Sequence, residues 1–292
     1  MFYTQWEVLL VDDEPDVLSI SKLAMQNFEV YGLPLKIHTA QSKAQALEFL
    51  NGRPDRYFSY IAVAFIDVVM ENDSAGLELC QEIREGMNSH STQLFIRTGQ
   101  PGIAPERAVI DRYDINGYFT KAEATEDKLY SLVKSGVRQF MSTSWLESAY
   151  FMVNNFVANA DSREKLEESM IQGSQQFDGL RLALDEGSGR ENMLSNAVRL
   201  DNRLIYTGPT TDESTAAQHI NRLNQLDGIP LGEAGGKYIR DDENHQMIKI
   251  AAQDTNPELI YYFLTAFRPP LNTITAFHSG LQSLAAVWQR AG

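Results

Sequence analysis

The chain has 292 residues, 43% hydrophobic and 22% charged, the balance of a globular protein of two ordinary domains rather than a disordered or fibrous chain. Its formal net charge of −14 is shared evenly between the two halves, so neither half offers the basic surface that binding to nucleic acid demands. No apolar run is long enough to cross a bilayer, no leader precedes the first strand, and the single cysteine, Cys80, has no internal disulfide partner. A cytoplasmic location without membrane insertion is therefore expected.

In chain order, Glu7–Asp12 reads as a strand that ends in carboxylates. Pro15 opens a helix with Val17, Ile20, Leu23, Ala24 and Phe28 at helical spacing. Leu35–Ala40 reads as a second strand, and Ser42 caps a helix bearing Ala44, Leu47 and Leu50. Tyr60–Ile66 is nearly all apolar, as a parallel strand buried on both faces requires, and it ends at Asp67. A helix follows Gly76. Then come strand Gln93–Arg97, helix Pro105–Tyr113, strand Tyr118–Thr120 and helix Glu126–Phe140. Five strand–helix units with short connections predict a doubly wound α/β domain over residues 1–141.

Such a sheet sets all its strand C-termini on one edge, where ligands bind. Asp12 and Asp13 end the first strand, Asp67 the third, Thr98 the fourth and Lys121 the fifth. Each alone reads as a solvated loop residue; together they bring carboxylates, a hydroxyl and an ammonium to one place. Clustered carboxylates repel unless a hard cation joins them, and Mg²⁺ with oxygen ligands suits the set. A phosphoryl group arriving there needs charge neutralisation and positioning above all. Asp67 is then the nucleophile, Asp13 and Asp67 direct metal ligands, and Asp12 a ligand directly or through water. Lys121 and Thr98 bind phosphoryl oxygens.

The stretches VLLVDDEPDV (Val8 to Val17), FIDVVM (Phe65 to Met70), Thr98–Gly99 and YFTK (Tyr118 to Lys121) resemble the CheY-like receiver domain of two-component response regulators. The resemblance covers about residues 5–140. It implies a flavodoxin-like five-stranded parallel sheet of order 2-1-3-4-5, with Asp67 as phosphoacceptor and Asp12 and Asp13 as the acidic pair. It also implies the Val69 backbone carbonyl as a further Mg²⁺ ligand, Thr98 and Tyr118 as switch residues, and Lys121 as the family's lysine. The implied partner is a histidine kinase or phosphotransfer protein docking near the first helix.

The chain departs from the family in having Ala122 where a proline usually stands, Glu71 after Met70, and a longer loop before Gly76. RTGQPG (Arg97 to Gly102), Ala104–Glu106 and YDIN (Tyr113 to Asn116) resemble a subgroup with a GAF-like segment after the receiver, often ahead of a cyclic-di-GMP phosphodiesterase or another output domain.

In the second half, Leu146, Tyr150, Val153, Val157 and Ala160 keep a short heptad spacing. It fits either a dimerising helix, and so a homodimer, or a helix packed on its own domain. Residues 142–170 read as a helical linker and 171–292 as an α+β GAF-like domain. Arg199–Thr207, Met247–Ala252 and Leu259–Phe267 read as strands, the last two as a hairpin, and a helix follows Pro269–Pro270. The polar stretch Asp212–Asp242 reads as the loop-rich, helix-containing side where such domains bind ligands.

His219, His245 and His278 stand apart from one another, and Gly235–Gly236–Lys237 lacks the spacing of a phosphate-binding loop. No GGDEF, EAL or HD-GYP signature, basic helix-turn-helix or kinase core is visible. The expectation is therefore a non-enzymatic response regulator that signals through protein contacts. The alternative is the regulatory front of a longer cyclic-di-GMP phosphodiesterase, diguanylate cyclase or histidine kinase.

Overall fold

The computed structural model describes residues 5–52, 61–99, 106–158, 161–185, 196–200, 203–208, 213–227, 236–242, 245–251, 259–265 and 271–291. The chain divides into two compact units, Gln5–Ser144 and Trp145–Gly292.

In the first unit a strand β1 (Trp6–Val11) runs into helix α1 (Pro15–Met25), with Pro15 in the first turn, where its missing N–H costs nothing. A two-residue strand β2 (Glu29–Val30) pairs antiparallel with β3 (Leu33–Ala40). Tyr31 and Gly32 join them, both at positive φ (54° and 79°), which is the backbone of a tight hairpin turn. The Trp6 indole N–H donates to the Val30 carbonyl at 2.7 Å and ties this edge to β1.

Helix α2 (Lys43–Asn51) is capped by Ser42, whose hydroxyl accepts the Gln45 N–H at 3.1 Å. Strand β4 (Ile61–Ile66) is followed by α3 (Ala75–Gln81) and a π-turn over Glu82–Gly86. Then come β5 (Gln93–Thr98), α4 (Glu106–Tyr113), β6 (Gly117–Thr120) and a 3₁₀ turn at Lys121–Glu123. Helix α5 (Glu126–Ala158) extends past the unit's last residue, Ser144.

The sheet order is β2-β3-β1-β4-β5-β6, with every pairing parallel except β2 with β3. The expected five-stranded, all-parallel sheet is thus corrected to six strands: the five parallel ones keep the relative order 2-1-3-4-5, and the full order differs by an antiparallel strand added at one edge. The addition is the hairpin strand β2, too short to show a periodic pattern.

Alternate residues of β1 serve the two faces. Leu9 and Val11 pack with α2, α3 and α4 through Ala46, Leu79, Cys80 and Val109. On the other face Phe65 stacks on Phe95 at a centroid separation of 5.5 Å and meets Phe119 edge-to-face at 6.0 Å. Gly136 of α5 lets that helix approach: a Cβ there would stand 2.7 Å from the Val63 side chain.

The second unit is α+β. Helix α6 (Arg163–Asp185) precedes strands β7 (Asn196–Leu200) and β8 (Arg203–Gly208) and helix α7 (Glu213–Asp227). Strands β9 (Gly236–Asp242), β10 (His245–Ala251) and β11 (Leu259–Thr265) and helix α8 (Leu271–Arg290) complete it. The strands form an antiparallel sheet of order β8-β7-β11-β10-β9. Leu166 and Met170 of α6 and Leu284, Ala285 and Trp288 of α8 close a core over Val198, Leu200, Leu259 and Tyr261.

Two expectations change here. The single strand Arg199–Thr207 is two antiparallel strands, with Leu200 opposite Arg203. Asp212–Asp242, expected to be loop-rich with a helix, contains that helix, α7, and also the edge strand β9, which holds Gly236 and Lys237. The hairpin of β10 and β11 is present, while its QDTNPE connection, Pro269–Pro270 and the heptad side chains of Leu146, Tyr150, Val153, Val157 and Ala160 lie outside the described residues.

Candidate metal and phosphoryl site

The chain passes from β1 to β3 on one side and returns to β4 on the other, so the topological switch point opens between the C-terminal ends of β1 and β4. Those two ends carry the acidic residues. Asp12 is fully buried and Asp67 is 4% exposed, while Asp13 and Glu14 face solvent. Each of the four offers a carboxylate oxygen, and these oxygens all lie within 4.8 Å of one another. Four hard oxygen donors at that spacing fit a Mg²⁺ site.

Lys121, at the end of β6, reaches into the group. Its Nζ lies 2.8 Å from Asp67 Oδ2, 3.1 Å from Asp12 Oδ2 and 2.7 Å from Glu14 Oε1. Burial works to lower the Lys121 pKa, but the hydrogen bonds to Asp67, Glu14 and Asp12 outweigh it and the pKa is raised. The same ammonium holds the Glu14 carboxyl below its usual range. Asp67 moves the other way: burial pushes its pKa up and the Asp12 charge adds to this, against the pull of Lys121 and of the Val68 N–H.

Backbone contacts fix Asp67. Its N–H donates to the Val11 carbonyl at 2.9 Å, and its Oδ1 accepts the Val68 N–H at 2.8 Å. The loop that follows closes on itself through Asn72: the Met70 N–H donates to its carbonyl at 3.2 Å and the Ser74 N–H to its side chain at 2.8 Å. Gly76 then comes so close that a Cβ would lie 1.8 Å from the Asp67 carbonyl oxygen, which only glycine permits. Val69, in this loop, packs its side chain on the core.

Thr98 is buried at the end of β5, in register with Thr120. Tyr118 sits opposite Ile96, half-buried against the core. Ala122 lies inside the 3₁₀ turn, which Glu123 closes by accepting both the N–H and the hydroxyl of Thr120, at 2.7 and 2.8 Å.

Two participants escaped the sequence reading. Glu14 joins the acidic cluster; its signal was its place directly after Asp12–Asp13. Arg97 is 2% exposed and its Nη2 donates to Asp12 Oδ2 at 3.0 Å. A charge inside the otherwise neutral run QLFIRT was the available signal.

A doubly wound sheet with this cluster at its switch point defines a receiver-like α/β domain, and residues 5–144 form one. No protein-family profile matches the chain. Among curated proteins it is similar to the 3'3'-cGAMP-specific phosphodiesterase 2 of Vibrio cholerae serotype O1 (strain ATCC 39315 / El Tor Inaba N16961), 35% identical over 165 residues. That match takes 56% of this chain and 31% of the relative, so the chain spans about a third of the relative's length.

Solved structures alike in part include a signal receiver domain of an HD domain-containing protein from Pseudomonas fluorescens Pf-5 (20% identity, TM-score 0.41, 49% of this chain and 95% of that one). A response regulator receiver protein from Pseudomonas putida is also similar (20%, TM-score 0.36, 46% and 98%). So is the Mn(2+)-bound form of response regulator Rcp1 (15%, TM-score 0.35, 44% and 89%). The expectation that the protein is not an enzyme is corrected by the first of these comparisons, because the curated relative is itself a phosphodiesterase. Among the described residues no helix is long and apolar enough to cross a membrane.

Proposed function

We propose that this chain is the receiver-bearing regulatory portion of a cyclic-dinucleotide phosphodiesterase that takes its input from a two-component phosphorelay. The observation that carries the reading is the 35% identity over 165 residues to the 3'3'-cGAMP-specific phosphodiesterase. The acidic edge around Asp67 supports the input side.

In this reading an Asp67 carboxylate oxygen attacks phosphorus as the bond to the donor breaks. The donor is a histidine kinase or phosphotransfer protein, whose imidazole nitrogen leaves and takes up a proton. Asp12, Asp13, Asp67 and the Val69 carbonyl are the residues that would hold Mg²⁺, which neutralises phosphoryl charge. Lys121 and Thr98 bind phosphoryl oxygens. The added charge and acceptor oxygens draw Thr98 inward and let Tyr118 follow. The α+β unit after the receiver serves as a GAF-like sensory or dimerisation module between input and output.

The test uses the protein encoded by the complete gene. Hydrolysis of 3'3'-cGAMP and cyclic-di-GMP is measured with Mg²⁺ and with or without acetyl phosphate, alongside mass spectrometry of Asp67. A phosphoryl adduct on Asp67 and a change in hydrolysis that Asp67→Ala abolishes are expected. Absence of hydrolysis of either dinucleotide rejects the enzymatic reading, and absence of the adduct rejects the input.

A further inference from the structure

Among the described residues of the receiver-like unit two arginines are buried, and they differ in what they hold. Arg84 hydrogen-bonds neutral groups, donating to the carbonyls of Asp114, Ser89 and Thr92 at 3.1, 2.7 and 2.8 Å and to the Asn116 side chain at 3.4 Å, and meets a carboxylate only at 3.6 Å, on the exposed Asp114. Arg97 instead places one N–H on the carboxylate of Asp12 and another on the Ser21 hydroxyl of α1, at 3.0 and 2.5 Å. Ser21 passes its own proton to the Val17 carbonyl at 2.7 Å, so the guanidinium is held from both ends. Its Nε is buried without a hydrogen-bond partner. A buried unsatisfied donor is rare and costly, so a purely structural arginine is a poor account of this one.

Asp12, in turn, has both oxygens engaged. Oδ2 accepts from Arg97 and faces Lys121, and Oδ1 accepts the Glu14 N–H at 3.1 Å and Lys121 at 3.2 Å. Four carboxylates thus meet two cations, which leaves two formal negative charges, the charge of one divalent ion.

We infer that Arg97 is a resident counter-cation of the acidic edge. It is a positioning residue that occupies Asp12 and lowers the affinity of the site for a divalent ion. The inference rests on the reading of this edge as a Mg²⁺ site. Ion and guanidinium compete for the same carboxylate charge, and in a buried setting that repulsion is only partly screened. The chain therefore holds its acidic cluster together without metal and binds Mg²⁺ more weakly than the four carboxylates alone would dictate.

Titration calorimetry of the full chain with Mg²⁺ tests this. Arg97→Gln tightens binding about tenfold, and Arg97→Lys, which keeps the charge, stays within about threefold of wild type. Asp12→Asn weakens binding. The double variant Asp12→Asn, Arg97→Gln returns to within about threefold of wild type, because carboxylate and guanidinium leave together. That double variant buries no unpaired charge, so it remains informative if Arg97→Gln alone does not fold. An unchanged or weaker affinity in folded Arg97→Gln, or a double variant as weak as Asp12→Asn, overturns the inference. A wild-type chain that binds no Mg²⁺ overturns instead the reading on which it rests.

Discussion

At the scale of single residues, the tension of this domain sits on Asp67. Burial and the neighbouring Asp12 charge push its pKa up more than Lys121 and the Val68 N–H pull it down. The folded state thus holds the proton more tightly than the unfolded chain, and ionising Asp67 costs folded-state stability. That cost is absent below the unfolded pKa and complete once pH has risen through the folded one. In EDTA, Asp67→Asn is therefore expected to unfold at higher urea than wild type at neutral pH, the gap closing toward about pH 4. Equal midpoints across the range would show that Asp67 is not penalised. Adding Mg²⁺ should narrow the gap from the wild-type side, since a ligand bound only by the folded state stabilises it.

At the scale of elements, the receiver-like unit depends on loops that are held from inside. The clip made by Arg84 gathers the segment after the π-turn, the start of β5 and the turn before β6. Asp114 in that turn has positive φ, 49°, and its carbonyl accepts the Arg84 Nε–H at 3.1 Å. Burial pushes the Arg84 pKa down, though Asp114 opposes it. Truncating Arg84 to Ala strands the buried Thr92 carbonyl and three part-buried acceptors at once. We expect a loss of about 2–4 kcal/mol in urea unfolding. A loss under about 0.5 kcal/mol would mean that water replaces the guanidinium.

At the scale of the whole molecule, the cores are separate. Among the described residues, one cluster, which includes Leu9, Ile66, Leu79, Ile96 and Val109, draws only on residues before Ser144, and the other, around Leu166, Val198, Tyr261 and Trp288, only on residues after it. A domain with its own core folds alone. A fragment of residues 1–144 should therefore unfold in a single cooperative transition and bind Mg²⁺ as the full chain does. A broad, non-cooperative melt of that fragment would show that it needs the second unit.

Much of the first unit was legible in the sequence because its strands are buried on both faces and read as apolar runs, and because each run ends on a residue whose chemistry differs from its own. Asp12, Asp67, Thr98 and Lys121 could be placed on one edge from topology alone, since parallel strands with right-handed crossovers share their direction. Local pattern was also enough for the cap at Ser42 and the start of α1 at Pro15. It was not enough for β2, whose two residues are too few to show alternation, or for the edge strand β9. The split of Arg199–Thr207 was legible in the turn-forming pair Asp201–Asn202 but was missed. Only the tertiary structure decided that Arg97, 85 positions from Asp12 in sequence, pairs with it. Spacing along the chain carries no record of which charge meets which across a sheet; that is settled when two strand ends are packed side by side and water is removed from between them.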